Sequence, residues 1–235
     1  MLNENQIGKY LKYALGEILL VVVGILIALQ INTWNQNRVN RKVHKEIISS
    51  LNKDFKSNKS AVHEHLKGVQ LKIKSNKKLM TLIGASREEL NQHNLDSLIH
   101  FSMGSADVAF ADNTLNNLIQ TDRLNLITND TLSELLYQWG SLKAVHQKRA
   151  DKLDNWVNEQ YVPYLMTKIS FKQVDGYGGH DWGGPSKVKP DYYGLFQEVS
   201  FENFLDNTLW YNQKLLDRAY EIDRLIQRIM EETEP

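Results

Sequence analysis

The chain has 235 residues, in which 28 Lys and Arg balance 28 Asp and Glu, and it contains no cysteine. The absence of cysteine excludes disulfides and thiolate metal sites, and a hydrophobic content of 42% excludes a wholly disordered chain. Without its apolar N-terminal segment the chain retains roughly 200 residues, enough for one folded unit.

The N-terminal region contains a run that is long and apolar enough to cross a membrane. Residues 18–29 are all apolar or glycine, and between Tyr13 and Ile31 only Glu17 and Gln30 interrupt the pattern. A helix of this length spans about 28 Å, close to the thickness of a bilayer's hydrocarbon core. No small-residue cleavage site follows the run, so we predict an uncleaved anchor rather than a signal peptide.

This anchor divides the chain. We predict a short leader over residues 1–12, a transmembrane helix over residues 13–34 and a helical ectodomain over residues 35–235. The lipid bilayer is therefore the first predicted partner. Amphipathic rings favour the headgroup region, so we predict that Tyr10, Tyr13 and Trp34 are interfacial anchors.

A carboxylate within the anchor is costly and is a candidate functional group. Glu17 shares a helical face with Gly24 and Ala28, and small residues let helices approach closely, so these two and Gly16 form a predicted oligomer interface. Three interpretations stay open for Glu17. It lies at interfacial depth, solvated or paired with Lys9, Lys12 or Tyr13; it stabilises an oligomer; or a ring of Glu17 side chains conducts protons or ions.

The chain from Thr33 to Lys67 contains no glycine or proline, so the anchor helix is predicted to continue into a long helix. Apolar residues recur there every seven positions, which is typical of a packing seam. The members of this series are Ile48, Phe55, Val62, Val69, the polar Asn76 and Ile83.

Charge is unevenly distributed along the chain. Residues 38–78 carry twelve bases and three acids, whereas residues 201–235 carry eight acids and four bases. One interpretation is that the two regions form helices of one bundle that attract each other. The other is that residues 38–78 form a basic surface for an anionic partner.

Further helices are predicted in chain order after a break at Gly84. One short helix ends near Gly104, and another covers residues 113–120. A second long helix runs from Asn129 until Pro163 stops it, and a last helix begins near Phe201. No paired strand pattern occurs. The predicted fold is all-α: a transmembrane helix that continues into a long helix, then an antiparallel helical bundle.

A glycine-rich segment over about residues 173–194 interrupts these helices. It is interpreted as a flexible surface loop or as a recognition loop, whose candidate contact residues are Tyr177, His180 and Trp182. It neither follows a strand nor opens a helix, so it does not fit a phosphate-binding loop.

No catalytic or metal constellation is found in the sequence. His63 and His65 point to different sides of one helix, and His146 falls on an apolar helical face, which favours a bundle histidine over a ligand. Nucleophile-elbow, Walker and zincin motifs are missing as well. We therefore predict neither an enzyme nor a cofactor, and no nucleic-acid partner.

Residues 16–35, GEILLVVVGILIALQINTWN, resemble the signature G-E-I-x-L-V-x-x-G-I-L-I-A-L-Q-I-N-x-W-N of a single-span membrane protein family of Bacteroidota. Residues 113–137 are similar to a second, weaker pattern of that family. The resemblance implies a bacterial inner-membrane location and a periplasmic ectodomain, whereas the flanking lysines and arginines lean slightly towards a cytoplasmic one. The family is a domain of unknown function, so it implies no activity.

Two functional hypotheses follow. The first is a membrane-anchored, non-enzymatic homo-oligomer that acts as a scaffold or binds a protein partner in the cell envelope. The alternative is a homo-oligomer that conducts protons or ions past Glu17.

Overall fold

The computed structural model describes residues 4–104 and 107–234, with side chains from Leu15 onward. The helices are α1 (Glu4–Met80), α2 (Arg87–Leu90), α3 (Leu95–Ser102), α4 (Asn113–Gln120), α5 (Asp130–Trp156), α6 (Val162–Met166), α7 (Phe171–Val174), α8 (Tyr192–Phe196) and α9 (Val199–Glu232). A π-helical segment spans Val157–Tyr161, and 3-10 turns span Leu124–Leu126 and Asp175–Gly178. No strand occurs among the described residues, so the all-α prediction is confirmed.

The first helix is continuous over 77 residues, about 115 Å at 1.5 Å per residue. The predicted continuation of the anchor into a long helix is therefore confirmed. Residues 15–42 are exposed on every face, and burial of one face begins at Val43. The helix ends at a turn in which Gly84 adopts a φ of 76° and donates its N–H to the carbonyl of Phe196 at 2.9 Å.

Beyond Val43, three long helices form the bundle. The C-terminal end of α9 packs against α1 and α5, at the ends of these two helices that lie nearer the N-terminal apolar segment. Helix α9 therefore runs antiparallel to both. Segments α2 to α4 carry the chain back along the bundle between α1 and α5. The predicted antiparallel bundle is confirmed, and it includes one parallel pair, α1 and α5.

The core consists of three apolar clusters along the bundle axis. A near cluster, around Phe55, Trp139 and Ile226, is closest to the N-terminal apolar segment. A middle cluster surrounds Val69 and Leu215, and a distal cluster contains the residues at the far end of α1 together with α3, α6 and α8. This distribution makes the bundle a long rod with apolar contacts along its length.

The seven-residue series on α1 packs within the chain. Phe55, Val62 and Val69 are fully buried, as is the polar member Asn76. The Asn76 side-chain amide donates to the Ser102 carbonyl at 2.9 Å, so the polar residue binds the C-terminal end of α3.

The opposite charges of α1 and α9 meet at one described ion pair, Lys59 with Asp223 at 2.8 Å. Both side chains are partly exposed, so this pair contributes up to about 1 kcal/mol. Apolar contact therefore dominates the packing of α1 on α9.

Two predicted boundaries differ from the structure. Helical backbone continues past Pro163 to Met166 because the π segment precedes it and Pro163 lies in the first turn of α6, where a missing N–H is tolerated. The predicted loop over 173–194 is shorter than expected, since α7, a 3-10 turn and α8 occupy its two ends.

Candidate functional site

The apolar segment Leu15–Ile31 makes no contact with the bundle. Its large apolar side chains are each 46–75% exposed, and none of the most apolar 18-residue stretch is buried. This is the one helix among the described residues that is long and apolar enough to cross a membrane. Trp34, at its end, is also exposed.

The predicted interface residues lie on this exposed segment. Glu17, Gly24 and Ala28 are exposed, and a methyl group built on Gly16 or Gly24 would meet no atom within 4 Å. The side chains of Tyr10 and Tyr13 fall outside the described residues, as do those of the lysines predicted to pair with Glu17.

The three predicted recognition residues do not share one site. The rings of His180 and Trp182 stack on each other in the loop, with centroids 5.3 Å apart and planes 12° apart. Tyr177 instead turns towards the segment before α3, where its hydroxyl accepts a hydrogen bond from the Asn94 side-chain amide at 2.5 Å.

The loop beyond Trp182 is held by a local turn. An Asp181 carboxylate oxygen accepts the backbone N–H groups of Gly183 and Gly184 at 2.9 and 3.0 Å, and these bonds lower the pKa of Asp181. Both glycines have positive φ, 83° and 77°, a conformation that other residues rarely adopt. Specific hydrogen bonds thus order this glycine-rich segment.

Tyr177 lines a cleft of about 640 Å³ at the distal end of the bundle. One wall is formed by residues 87–96 and the other by Tyr177 and residues 190–193. We call this feature the distal cleft. Its described lining combines three tyrosines, two carboxylates, three side-chain amides, an arginine and a histidine: Tyr177, Tyr192, Tyr193, Asp96, Asp191, Asn91, Gln92, Asn94, Arg87 and His93.

Contacts between the two walls fix the geometry of the distal cleft. The Arg87 guanidinium lies 4.2 Å from the centre of the Tyr193 ring and 3.7 Å from the Asp191 carboxylate. Across the cleft, the Tyr192 hydroxyl donates to Asp96, and burial together with this bond raises the pKa of Tyr192. Aromatic faces beside amides and charged groups suit the binding of a polar ligand or a polar protein segment.

A second cluster lies inside the bundle, where α1 meets α5. The rings of His65 and His146 are buried with centroids 4.8 Å apart, in an edge-to-face arrangement. Burial lowers the pKa of His146 to about 4, and the neighbouring His65, Arg149 and Arg218 act in the same direction. His146 is therefore neutral near pH 7.

The contact between these two histidines was not predicted from the sequence. The signal was present, because His65 follows Asn58 and Val62 at the helical spacing of the buried face of α1. Among the residues that the structure describes, no three His, Asp or Glu side chains come close enough together to hold a metal ion.

Comparison of the chain with protein-family models, with curated proteins and with solved structures finds no match. A function must therefore be inferred from the exposed apolar segment, the distal cleft and the surfaces of the bundle.

Proposed function

We propose that this protein is a single-span, non-enzymatic membrane protein that holds a binding site away from the bilayer on a rigid helical rod. The observation that carries the proposal is that every residue of the apolar segment Leu15–Ile31 is exposed. An exposed apolar surface of this size makes a soluble protein prone to aggregation, whereas a bilayer would cover it on all sides.

The continuity of α1 supports a display role. From Trp34 to Met80 the helix rises about 70 Å, and the distal cleft lies beside the end of that rise. A cleft held at that distance can meet partners that do not touch the membrane surface. Its lining carries paired polar groups and aromatic faces, which supports binding in the envelope rather than catalysis.

Assembly and location are part of the same proposal. Exposure of the Glu17, Gly24 and Ala28 face supports packing against the same face of a second copy. The resemblance of residues 16–35 to the Bacteroidota signature supports an inner-membrane location with a periplasmic bundle.

Assembly is tested by the mass of the full chain in detergent, measured by light scattering. We expect a small multiple of 27.2 kDa that falls towards the monomer in Gly24→Leu, while the control Ile25→Leu keeps the mass of the wild type. A monomer in all three proteins would refute homo-oligomerisation and leave the anchoring role standing.

The binding role of the distal cleft is tested by a photo-crosslinking amino acid placed at Gln92, on the exposed rim of the cleft, in cells that express the full chain. We expect discrete adducts at this position, and their loss when Tyr193→Ala removes a cleft wall. A matched probe at Lys53, on the exposed side of α1, should give none. Equal labelling at both positions would contradict a specific site at the cleft.

A further inference from the structure

A second surface of the bundle carries a concentrated positive charge. It lies between α5 and α9 and comprises two clefts of about 570 and 370 Å³, neither of which is lined by a residue of α1. The clefts follow each other along both helices, because Val145 and Arg218 line the first and Arg149 and Lys214 line the second. We call it the α5–α9 groove. Six cationic side chains and one carboxylate line it: Arg149, Lys152, Lys214, Arg218, Arg224, Arg228 and Glu221.

Few of these cations are neutralised by the protein itself. Arg218 pairs with Glu221, and Arg149 donates to the backbone carbonyl of Lys214 at 2.7 Å. Within the described residues, Lys152, Arg224 and Arg228 have no ion-pair partner. The groove thus presents a net positive charge, although the whole of α9 is acidic on balance.

The groove also has apolar and aromatic contact surface. Leu142, Val145 and Leu225 line the larger cleft together with its arginines. Trp210 and Tyr211 line the smaller one; the Trp210 side chain is 55% exposed and has the Lys214 ammonium 5.9 Å from its ring centre. An exposed tryptophan beside cations is typical of an interface anchor residue.

The shape of the groove favours a helical occupant. It follows two antiparallel helices, and the α5 residues that line it, from Gln138 to Lys152, span about 21 Å. An amphipathic helix places apolar residues along one stripe and charges on both flanks, which matches apolar residues bordered by arginines and lysines. A flexible polyanion would use the charges but not the apolar residues.

We propose that the α5–α9 groove binds an acidic amphipathic helix of a partner protein, which would lie against α5 and α9 as an additional helix of the bundle. Leucines or similar residues of the partner would contact Leu142, Val145 and Trp210, and its carboxylates would pair with Arg224, Arg228 and Lys152. This surface is separate from the distal cleft, so the two can be tested independently.

The test uses the full chain in non-ionic detergent and a fluorescent synthetic peptide of about 18 residues, long enough to span the groove. The peptide contains Leu at helical spacing and Glu elsewhere. The comparisons are a scrambled peptide of the same composition, poly-glutamate, and mixed micelles that contain anionic phospholipid. We expect anisotropy to report binding of the patterned peptide, weakened by added salt and at least about tenfold weaker for the scramble and for poly-glutamate.

Matched variants locate the binding. We expect Arg224→Glu with Arg228→Glu to weaken the patterned peptide by about tenfold or more, and Trp210→Ala to do so to a similar extent. Lys187→Glu with Lys189→Glu makes the same change of net charge on the exposed distal loop and should leave binding unchanged.

Several results would overturn the proposal. Equal binding of poly-glutamate or of anionic mixed micelles would identify the groove as a general polyanion or lipid surface. Equal weakening by both charge reversals would show that only net charge matters. A change of oligomeric mass in the Arg224→Glu, Arg228→Glu variant would identify a second copy of this chain as the occupant, and the absence of any peptide binding would also refute the proposal.

Discussion

The buried His146 links the stability of the bundle to pH. Its imidazole is neutral because burial, followed by the nearby His65 and arginines, lowers its pKa from 6.5 to about 4. In the unfolded chain the same imidazole binds a proton near pH 6.5, so lower pH favours the unfolded state. The neutral His146 therefore contributes to the free energy of unfolding in full above about pH 6.5, and this contribution is lost progressively as the pH falls to about 4. The total loss is on the order of 3 kcal/mol.

We therefore expect the free energy of unfolding of the full chain in detergent to fall by about 2 kcal/mol between pH 7 and pH 5 through His146 alone. His146→Leu should flatten this slope, because the group that gains a proton on unfolding is gone. The measurement is urea unfolding followed by tryptophan fluorescence. The exposed His63→Leu, on α1, is the control that keeps the slope, and parallel curves for all three proteins would contradict the assignment.

Asn76 is the polar member of the seven-residue series on α1, and its side chain connects α1 to α3. Its side chain is fully buried and donates to the Ser102 carbonyl, so replacing it leaves a buried acceptor without its partner. We expect Asn76→Leu, similar in volume, to destabilise the bundle by about 1–3 kcal/mol in the same urea titrations. Asn117→Leu, at an exposed position of α4, should stay within about 0.5 kcal/mol of the wild type. An Asn76→Leu protein as stable as the wild type would show that the hydrogen bond contributes nothing.

At the scale of elements, the stretch of α1 between Trp34 and Val43 is helical without packing against the bundle. Its rigidity rests on local helix formation and on continuity with the helix at both ends. Arg38→Pro should break this stretch at a cost of about 3 kcal/mol while leaving the stability of the bundle unchanged.

The chain contains no cysteine, so spin labels attach only to the introduced Asn35→Cys and Lys53→Cys. The distance between the two labels measures the length and straightness of this stretch of α1. We expect a narrow distance distribution near 27 Å, the rise over 18 helical residues, and a broad one in Arg38→Pro. Arg38→Ala should keep the narrow distribution. A broad distribution without the proline would show that α1 bends between the apolar segment and the bundle.

Helices α1 and α4 could be predicted from the sequence because their signals are local. Helix α4 begins at Asn113 and ends at Gln120 as the apolar spacing indicates, and α1 lacks any proline that would interrupt it. The passage through Pro163 could not be predicted, since it depends on a π segment whose hydrogen bonds shift by one residue.

The distal cleft could not be predicted from the sequence for a different reason. The Tyr192 to Asp96 bond joins residues 96 positions apart, and the Asn94 to Tyr177 bond joins residues 83 apart. Side chains at such separations meet only when the bundle brings its distal segments together. Tyr177 was predicted as a contact residue, yet nothing local indicated its separation from His180 and Trp182.

The whole molecule consists of a rod, an exposed apolar end and two candidate binding surfaces. The rod places the distal cleft about 70 Å from Trp34, and the α5–α9 groove runs along its side. The distal cleft is held away from a bilayer only if the apolar end fixes the rod to that bilayer. The proposed display role therefore depends on membrane insertion of residues 15–31.

The most direct test is alkaline carbonate extraction of membranes that contain the full chain. We predict that the wild type and the control Val23→Leu with Ile27→Leu stay in the membrane pellet. Val23→Asp with Ile27→Asp should be released with its bundle still folded by circular dichroism, because each central carboxylate costs about 2.5–3.5 kcal/mol in the bilayer and neither residue contacts the bundle. Release of the wild-type chain by carbonate would contradict the account.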